Sequence, residues 1–287
     1  MSEERKSVDM NEFAEKFANV YYVKLLFKDK CEVDHDELYQ RLQEQFHHVD
    51  RVVNGKLSSF ALTDHLVTYK DGEQVPSQLL VTEVIPFDQL TIPDMVMQEC
   101  WTSENPQALL AGCHYELMVS DFMAGGLDII ERCQILAKYI DILLEMLPEC
   151  IALYWPHSQK FMPSSAYINS QWYNPILHFL DGGLNVRFFN IQDSDAMVVD
   201  TTGLFSLGIP DLQMHFHTLD HNFVINYIHN FASYLFQNGD IVKDGDTMDG
   251  RDESERWVCQ HEESLIAPHR IVLDICANEF AARKRNN

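Results

Sequence analysis

His215 and His217 sit one residue apart in the stretch "DTTGLFSLGIPDLQMHFHTLDH" (200 to 221), with His215 four residues after Asp211. Side chains two apart on a strand point the same way, so an HxH pair can converge its ring nitrogens on one ion, as zinc and non-haem iron sites require. Asp211, Asp220 or His221 would supply a third ligand. That reading is a metal-dependent hydrolase, with a carboxylate such as Asp246 as its general base. The plainer reading is a sheet with one wet face, since Leu212, Met214 and Phe216 alternate with Asp211, Gln213, His215 and His217.

Two other stretches carry residue types capable of chemistry. In "DGDT" (Asp244, Gly245, Asp246, Thr247) the paired aspartates resemble the start of a calcium loop, but the EF-hand pattern is not matched by the residues that follow. A tight turn is expected, with Gly245 at positive φ, Asx-type bonds from Asp244 and Asp246, and Thr247 capping the next element. No cofactor is expected beyond a divalent ion that this acidic cluster could hold weakly. "YWPHSQKFMPSSAYINSQWYNP" (154 to 175) sets Trp155, His157, Phe161, Tyr167, Trp172 and Tyr173 among serines, and a loop so long and aromatic suits a lid or a recognition surface, the plainer reading being that the aromatics pack over the sheet edge and the polar residues satisfy the loop backbone. There is no GxSxG elbow, dinucleotide glycine motif, Walker lysine loop, HExxH helix or kinase signature. "MAGGLD" (123 to 128) puts two glycines before a helix without the third glycine or a basic partner, as a tight turn would.

The positioning elements can be read from periodicity. "YYVKLLF" (21 to 27) reads as a strand, and "DHDELYQRLQEQF" (34 to 46) as an amphipathic helix with Leu38, Leu42 and Phe46 on one face. A hairpin broken at Asp71 and Gly72 comes next. Then come a strand over 113 to 122, a helix over 126 to 147 stopped by Pro148, and a buried strand "CIALYWP" (150 to 156). Strands "LNVRFFNIQ", "AMVVDTTG" and "DLQMHF" lead to a helix over 222 to 239, with Gly239 ending it. The expected fold is α+β, two tandem strand-helix-strand-strand units, pseudo-duplicated, with mainly antiparallel sheets and helices on one face. The expected boundaries are a mobile N-terminal arm (1–18), a first half (19–111), a second half (112–250) and a C-terminal extension packing on the body (251–287).

Composition narrows the partners. The 287 residues carry 21 Lys and Arg against 44 Asp and Glu, a net charge of −23 that repels nucleic acid and anionic lipid and attracts basic protein surfaces. The seven cysteines never form a CxxC pair, which fits neither a disulfide framework nor a thiolate zinc site. No stretch reaches the roughly 18 uninterrupted apolar residues of a membrane span, and the start has no apolar leader core, so a cytoplasmic protein is expected.

Three motifs together resemble the bacterial DUF4261 family, a domain of unknown function. They are the "YW" strand (Tyr154, Trp155), the turn Thr202, Gly203, Leu204, Gly208, Pro210, Asp211, and the late Asp244 to Thr247. The similarity is traced over most of residues 20 to 250 and is most specific in the second half. It implies a bacterial cytoplasmic protein and assigns no reaction, no catalytic residue and no HxH site. The preferred expectation is a non-enzymatic protein-interaction module of adaptor or toxin-neutralising type, with the aromatic loop as anchor and its charge steering a basic partner. The alternatives are the His215/His217 hydrolase and a housekeeping component whose acidity serves solubility.

Overall fold

A computed structural model describes residues 10–171 and 174–282. The chain divides into two compact units, Ala18–Gly183 and Leu184–Asn287, the second joined by the N-terminal segment through Phe17.

The first unit begins with β1 (Tyr22–Phe27) and α1 (His35–Phe46). Asp34 caps α1, accepting from the Asp36 and Glu37 amides at 2.9 and 3.0 Å, and Leu38, Leu42 and Phe46 are buried. β2 (Val49–Val53), β3 (Leu57–Thr68) and β4 (Gln74–Thr82) come next, and Gly72 turns the β3–β4 hairpin at φ +85°. An excursion then holds β5 (Ile85–Pro86), α2 (Asp94–Gln98) and α3 (Pro106–Ala111). The unit continues with β6 (Tyr115–Phe122), α4 (Ile129–Met146), β7 (Cys150–Trp155), β8 (Lys160–Pro163), α5 (Ser164–Ile168) and α6 (Leu180–Gly183).

Its sheet runs β2-β3-β4-β6-β1-β7-β8, each neighbouring pair antiparallel, with β5 also on β6. Hence β4 lies parallel to β1 with β6 between them, and β7 parallel to β6 with β1 between them. The segment β6-α4-β7 is therefore a split strand-helix-strand unit with β1 between its strands, and α1 and α4 touch.

The second unit has β9 (Asn185–Asn190), β10 (Met197–Thr202), β11 (Asp211–Phe216), α7 (His221–Asn238), β12 (Thr247–Asp249), β13 (Arg256–Glu263) and β14 (Ile271–Cys276). Its order is β12-β13-β14-β11-β10-β9; β11 and β14 are parallel and the other pairs antiparallel. Asp220 caps α7 through the Phe223 amide at 2.9 Å, and Gly239 ends it at φ +78°. A 3-10 helix, Met10–Lys16, buries Met10 with Phe205 and Ile271, and the Phe17 ring meets Phe205 edge-on at 5.6 Å. This stretch of the expected mobile arm is packed; residues 1–9 lie outside the described residues.

The fold is α+β with two antiparallel-rich sheets. The tandem duplication is not confirmed, because the segment expected to open a second half builds into the first sheet instead. Leu25 faces Leu117 on one side and Leu153 on the other, so the unit closes after Gly183 and not at 111. An apolar central strand must pair on both edges, and element order alone does not say which strands do so. Residues 251–287 are likewise more than an extension. They supply β13 and β14, and β14 is an interior strand whose "IVLDIC" is buried except for its last residue.

Candidate functional site

The polar face of β11 is interior. Arg187 on β9 faces Asp200 on β10, Asp200 faces Gln213 on β11, and Gln213 faces Asp274 on β14. Arg187 forks onto Asp200 through Nε and Nη2 at 2.8 and 2.6 Å, and its Nη1 donates to Ala267 O at 2.9 Å. Arg270 reaches Asp200 Oδ2 at 2.8 Å and Asp211 Oδ2 at 2.9 Å, and its Nη1 donates to Ile266 O and Pro268 O. Gln213 bridges Asp274 Oδ1 at 3.1 Å and the Leu265 amide at 2.7 Å. Charged groups withdrawn from water this far persist only with such partners. The result pins the loop 264–270 across the sheet.

Asp211 is therefore not available as the metal ligand expected of it. Its Oδ2 is held by Arg270, and its Oδ1 accepts from Thr201 Oγ1 at 3.0 Å and the Leu204 amide at 3.1 Å. Burial pushes its carboxyl up, against the pull of Arg270. His215 stays on β11. His217 lies beyond the strand, its amide donating to Phe280 O at 2.8 Å and its Nδ1 3.2 Å from Thr218 Oγ1. The cavity beside His215 holds about 10 Å³, room for one water at most. Among the described residues no group of three or more His, Cys, Asp or Glu could hold a metal ion.

The glycine motifs are turns. Gly203 and Gly208 have φ of +125° and +82° and, with Pro210, fold the 3-10 turn Phe205–Leu207 so that Asp211 meets Thr201 and Leu204. Gly245 has φ +88°, Asp246 Oδ2 accepts from the Lys243 amide at 2.8 Å, and Thr247 opens β12. Asp244 has a second task that spacing did not reveal. Its Oδ1 lies 2.8 Å from both the amide and Nδ1 of His261 on β13, while Asp240 Oδ1 lies 3.2 Å from His261 Nε2. Burial opposes a charge on His261, but the two carboxylates outweigh it and raise its pKa.

The aromatic anchor is core. Trp155, Phe161 and Tyr167 are buried, Trp155 against Tyr167 and Phe179 at ring separations of 5.8 and 5.5 Å. His157 packs on Tyr21 and Tyr22 at 4.4 and 5.0 Å; burial, aided by Arg132, lowers its pKa to about 4, so the ring is neutral. Trp172 and Tyr173 lie outside the described residues. The serines serve the backbone: Ser158 donates to Gly182 O and Ser164 to Cys150 O, each at 2.5 Å. The β7–β8 hairpin turns its rings inward, and Gly182 leaves the space they need, since a Cβ there would fall inside the Trp155 ring.

A cavity of about 570 Å³ opens beside α4, between Ala137, Leu144, Ile168 and Pro175, with Asp141, Ser170 and His178 converging on it. His178 Nε2 lies 3.0 Å from Asp141 Oδ1 and Nδ1 3.0 Å from Asp181 Oδ2, and its ring stacks on Tyr167 at 4.4 Å. The hydrogen bonds to Asp141 and Asp181 raise its pKa to about 9, so at neutral pH both ring nitrogens carry protons and donate them. Ser170 Oγ donates to Asp181 Oδ2 at 2.5 Å. Ser, His and Asp meet here, yet the imidazolium has no lone pair to take the serine proton and the hydroxyl already gives it to a carboxylate. The geometry is that of a closed ion cluster tying α4 to the segment after α5.

Fold and site together define a two-unit α+β protein whose ionisable clusters are closed on themselves. Residues 200–276 match the model of DUF4261, a domain of unknown function, and so lie wholly in the second unit. The match takes in the Asp200–Asp211 turn, the Asp244 turn, Arg270 and Asp274; the "YW" strand falls outside it. No curated protein and no solved structure matches the chain. Among the described residues no helix is long and apolar enough to cross a membrane.

Proposed function

We propose that the chain is a non-catalytic protein-interaction module, of adaptor or toxin-neutralising type, for a partner with a basic surface. The observation that carries this reading is the closure of a cluster where catalytic residue types meet at a sizeable cavity. Asp141, His178, Asp181 and Ser170 bond one another, so the imidazole is held as a cation between two carboxylates and the Ser170 proton is spent on Asp181. A net charge of −23 then supplies what a binding protein uses, long-range steering of a cationic partner.

The test uses the full chain and a fluorescent amphipathic peptide with Lys and Arg on one helical face and Leu on the other. Saturable binding that weakens at least about tenfold between roughly 20 and 200 mM salt is expected, with no turnover of ester or phosphoester substrates, with or without added zinc or manganese. Turnover abolished by Ser170→Ala or His178→Gln, or no binding at the lower salt, would overturn the reading.

A further inference from the structure

The excursion between β4 and β6 has two unlike sides. Its inner side is core: Phe87, Ile92, Val96, Met97 and Cys100 pack with Leu26, Tyr154 and Phe161. Its outer side leaves Leu90 92 % exposed, Trp101 51 % and Ile85 41 %. The 3-10 turn that carries Leu90 is held by other groups, since Asp88 Oδ1 accepts from the Leu90 amide at 3.0 Å and Gln89 Nε2 donates to Cys113 O at 2.9 Å. The Leu90 side chain thus adds nothing to the fold and stands in water, where an apolar group is unfavourable.

The excursion's own charges have one sign. No lysine or arginine occurs between Lys70 and Arg132, while Asp88, Asp94 and Glu104 are exposed on the excursion. Of the cations next to it, Lys56 pairs with Glu83 at 3.2 Å and Lys24 with Glu116 at 2.8 Å, Lys160 is half-buried beside Cys100, and Lys28 is exposed next to His114 at its end. A surface that couples apolar side chains with unneutralised carboxylates repels anionic lipid and nucleic acid. It complements a chain that interleaves apolar and cationic residues, with Trp101 able to take a Lys or Arg over its ring as well as apolar contact.

We propose that this outer side is the docking surface and that its occupant is a cationic amphipathic segment of a partner protein. Apolar side chains of the segment cover Leu90 and Trp101, and its Lys and Arg face Asp88, Asp94 and Glu104. The inference rests on the interaction-module reading and adds the place and the chemistry of the partner.

The experiment measures the same labelled peptide against four full-length proteins: wild type, Leu90→Ser/Trp101→Ser, Asp94→Asn/Glu104→Gln, and the second-unit pair Asp195→Asn/Glu253→Gln. All substituted side chains but Trp101 and Leu90 are exposed carboxylates, and urea midpoints confirm that each variant folds. The Leu90/Trp101 variant is expected to bind about tenfold more weakly at unchanged charge. Asp94→Asn/Glu104→Gln is expected to lose more affinity than the second-unit pair, which changes the net charge equally. If wild type binds but the Leu90/Trp101 variant keeps its affinity within about twofold, docking lies elsewhere; the surface is overturned and the interaction module stands. If wild type binds no peptide at low salt, both fall. Self-association abolished by Leu90→Ser/Trp101→Ser would make a second copy the occupant and overturn the basic partner.

Discussion

Arg270 reaches two carboxylates and three carbonyl oxygens from a position almost wholly shielded from water. Its removal would leave Asp211 without a cationic partner in the interior and Asp200 with only Arg187. Arg270→Met is therefore expected to destabilise the protein by about 3–5 kcal/mol in urea unfolding, and a loss below about 1 kcal/mol would mean that the network is not what holds the loop 264–270. His178 offers a test with a sign. Its pKa in the folded protein, about 9, lies above the ordinary 6.5, so its ion cluster contributes in full below about pH 6.5 and is lost as pH rises through about 9. The side chain is 21 % exposed, so solvent screens part of the effect. The stability gap between wild type and His178→Gln should shrink by about 1–2 kcal/mol between pH 6 and pH 10. A gap that stays level across that range would show that the imidazole is not held as a cation.

At the scale of elements, the first unit depends on how closely α6 approaches β7. Gly182 presses its backbone against the Trp155 ring, and Gly183 does the same against Phe179. Gly182→Ala is expected to cost about 1–3 kcal/mol through overpacking. Gly55 has open space around it and serves as the control, with Gly55→Ala expected to change stability by less than about 0.5 kcal/mol in the same urea titration. Equal effects from the two substitutions would mean that α6 shifts freely and that the Trp155 packing does not set its position. Neither glycine of the pair is singled out by the sequence; only the ring folded over it gives the residue type a reason.

For the molecule as a whole, 44 acidic residues against 21 basic ones make self-repulsion the dominant long-range term. Added salt screens that repulsion over about a Debye length, so the thermal midpoint is expected to rise between roughly 10 and 200 mM sodium chloride. The exposed pairs, such as Arg41 with Glu37 and Glu145, are each worth less than about 1 kcal/mol and should not reverse the trend. A midpoint that falls with salt would show that surface ion pairs outweigh the net charge.

Local chemistry made much of this chain readable in one dimension. Asp34 before an apolar i, i+4 stripe starts α1, Asp71 and Gly72 turn a hairpin, Gly239 ends α7, and Gly245 takes the positive φ that its turn needs. Alternation along β11 separated its two faces correctly, because side-chain direction on a strand is set by the backbone alone. It did not reveal what covers each face. Arg270, 59 residues beyond Asp211, turns an apparently wet face with a candidate metal ligand into a buried ion network. In the same way β1 takes β6 and β7 as neighbours, and the aromatic loop folds in over Tyr21 and Phe179. Pairing and burial depend on contacts between residues far apart in the chain. Propensity and periodicity act only over neighbours, so those decisions belonged to the tertiary structure.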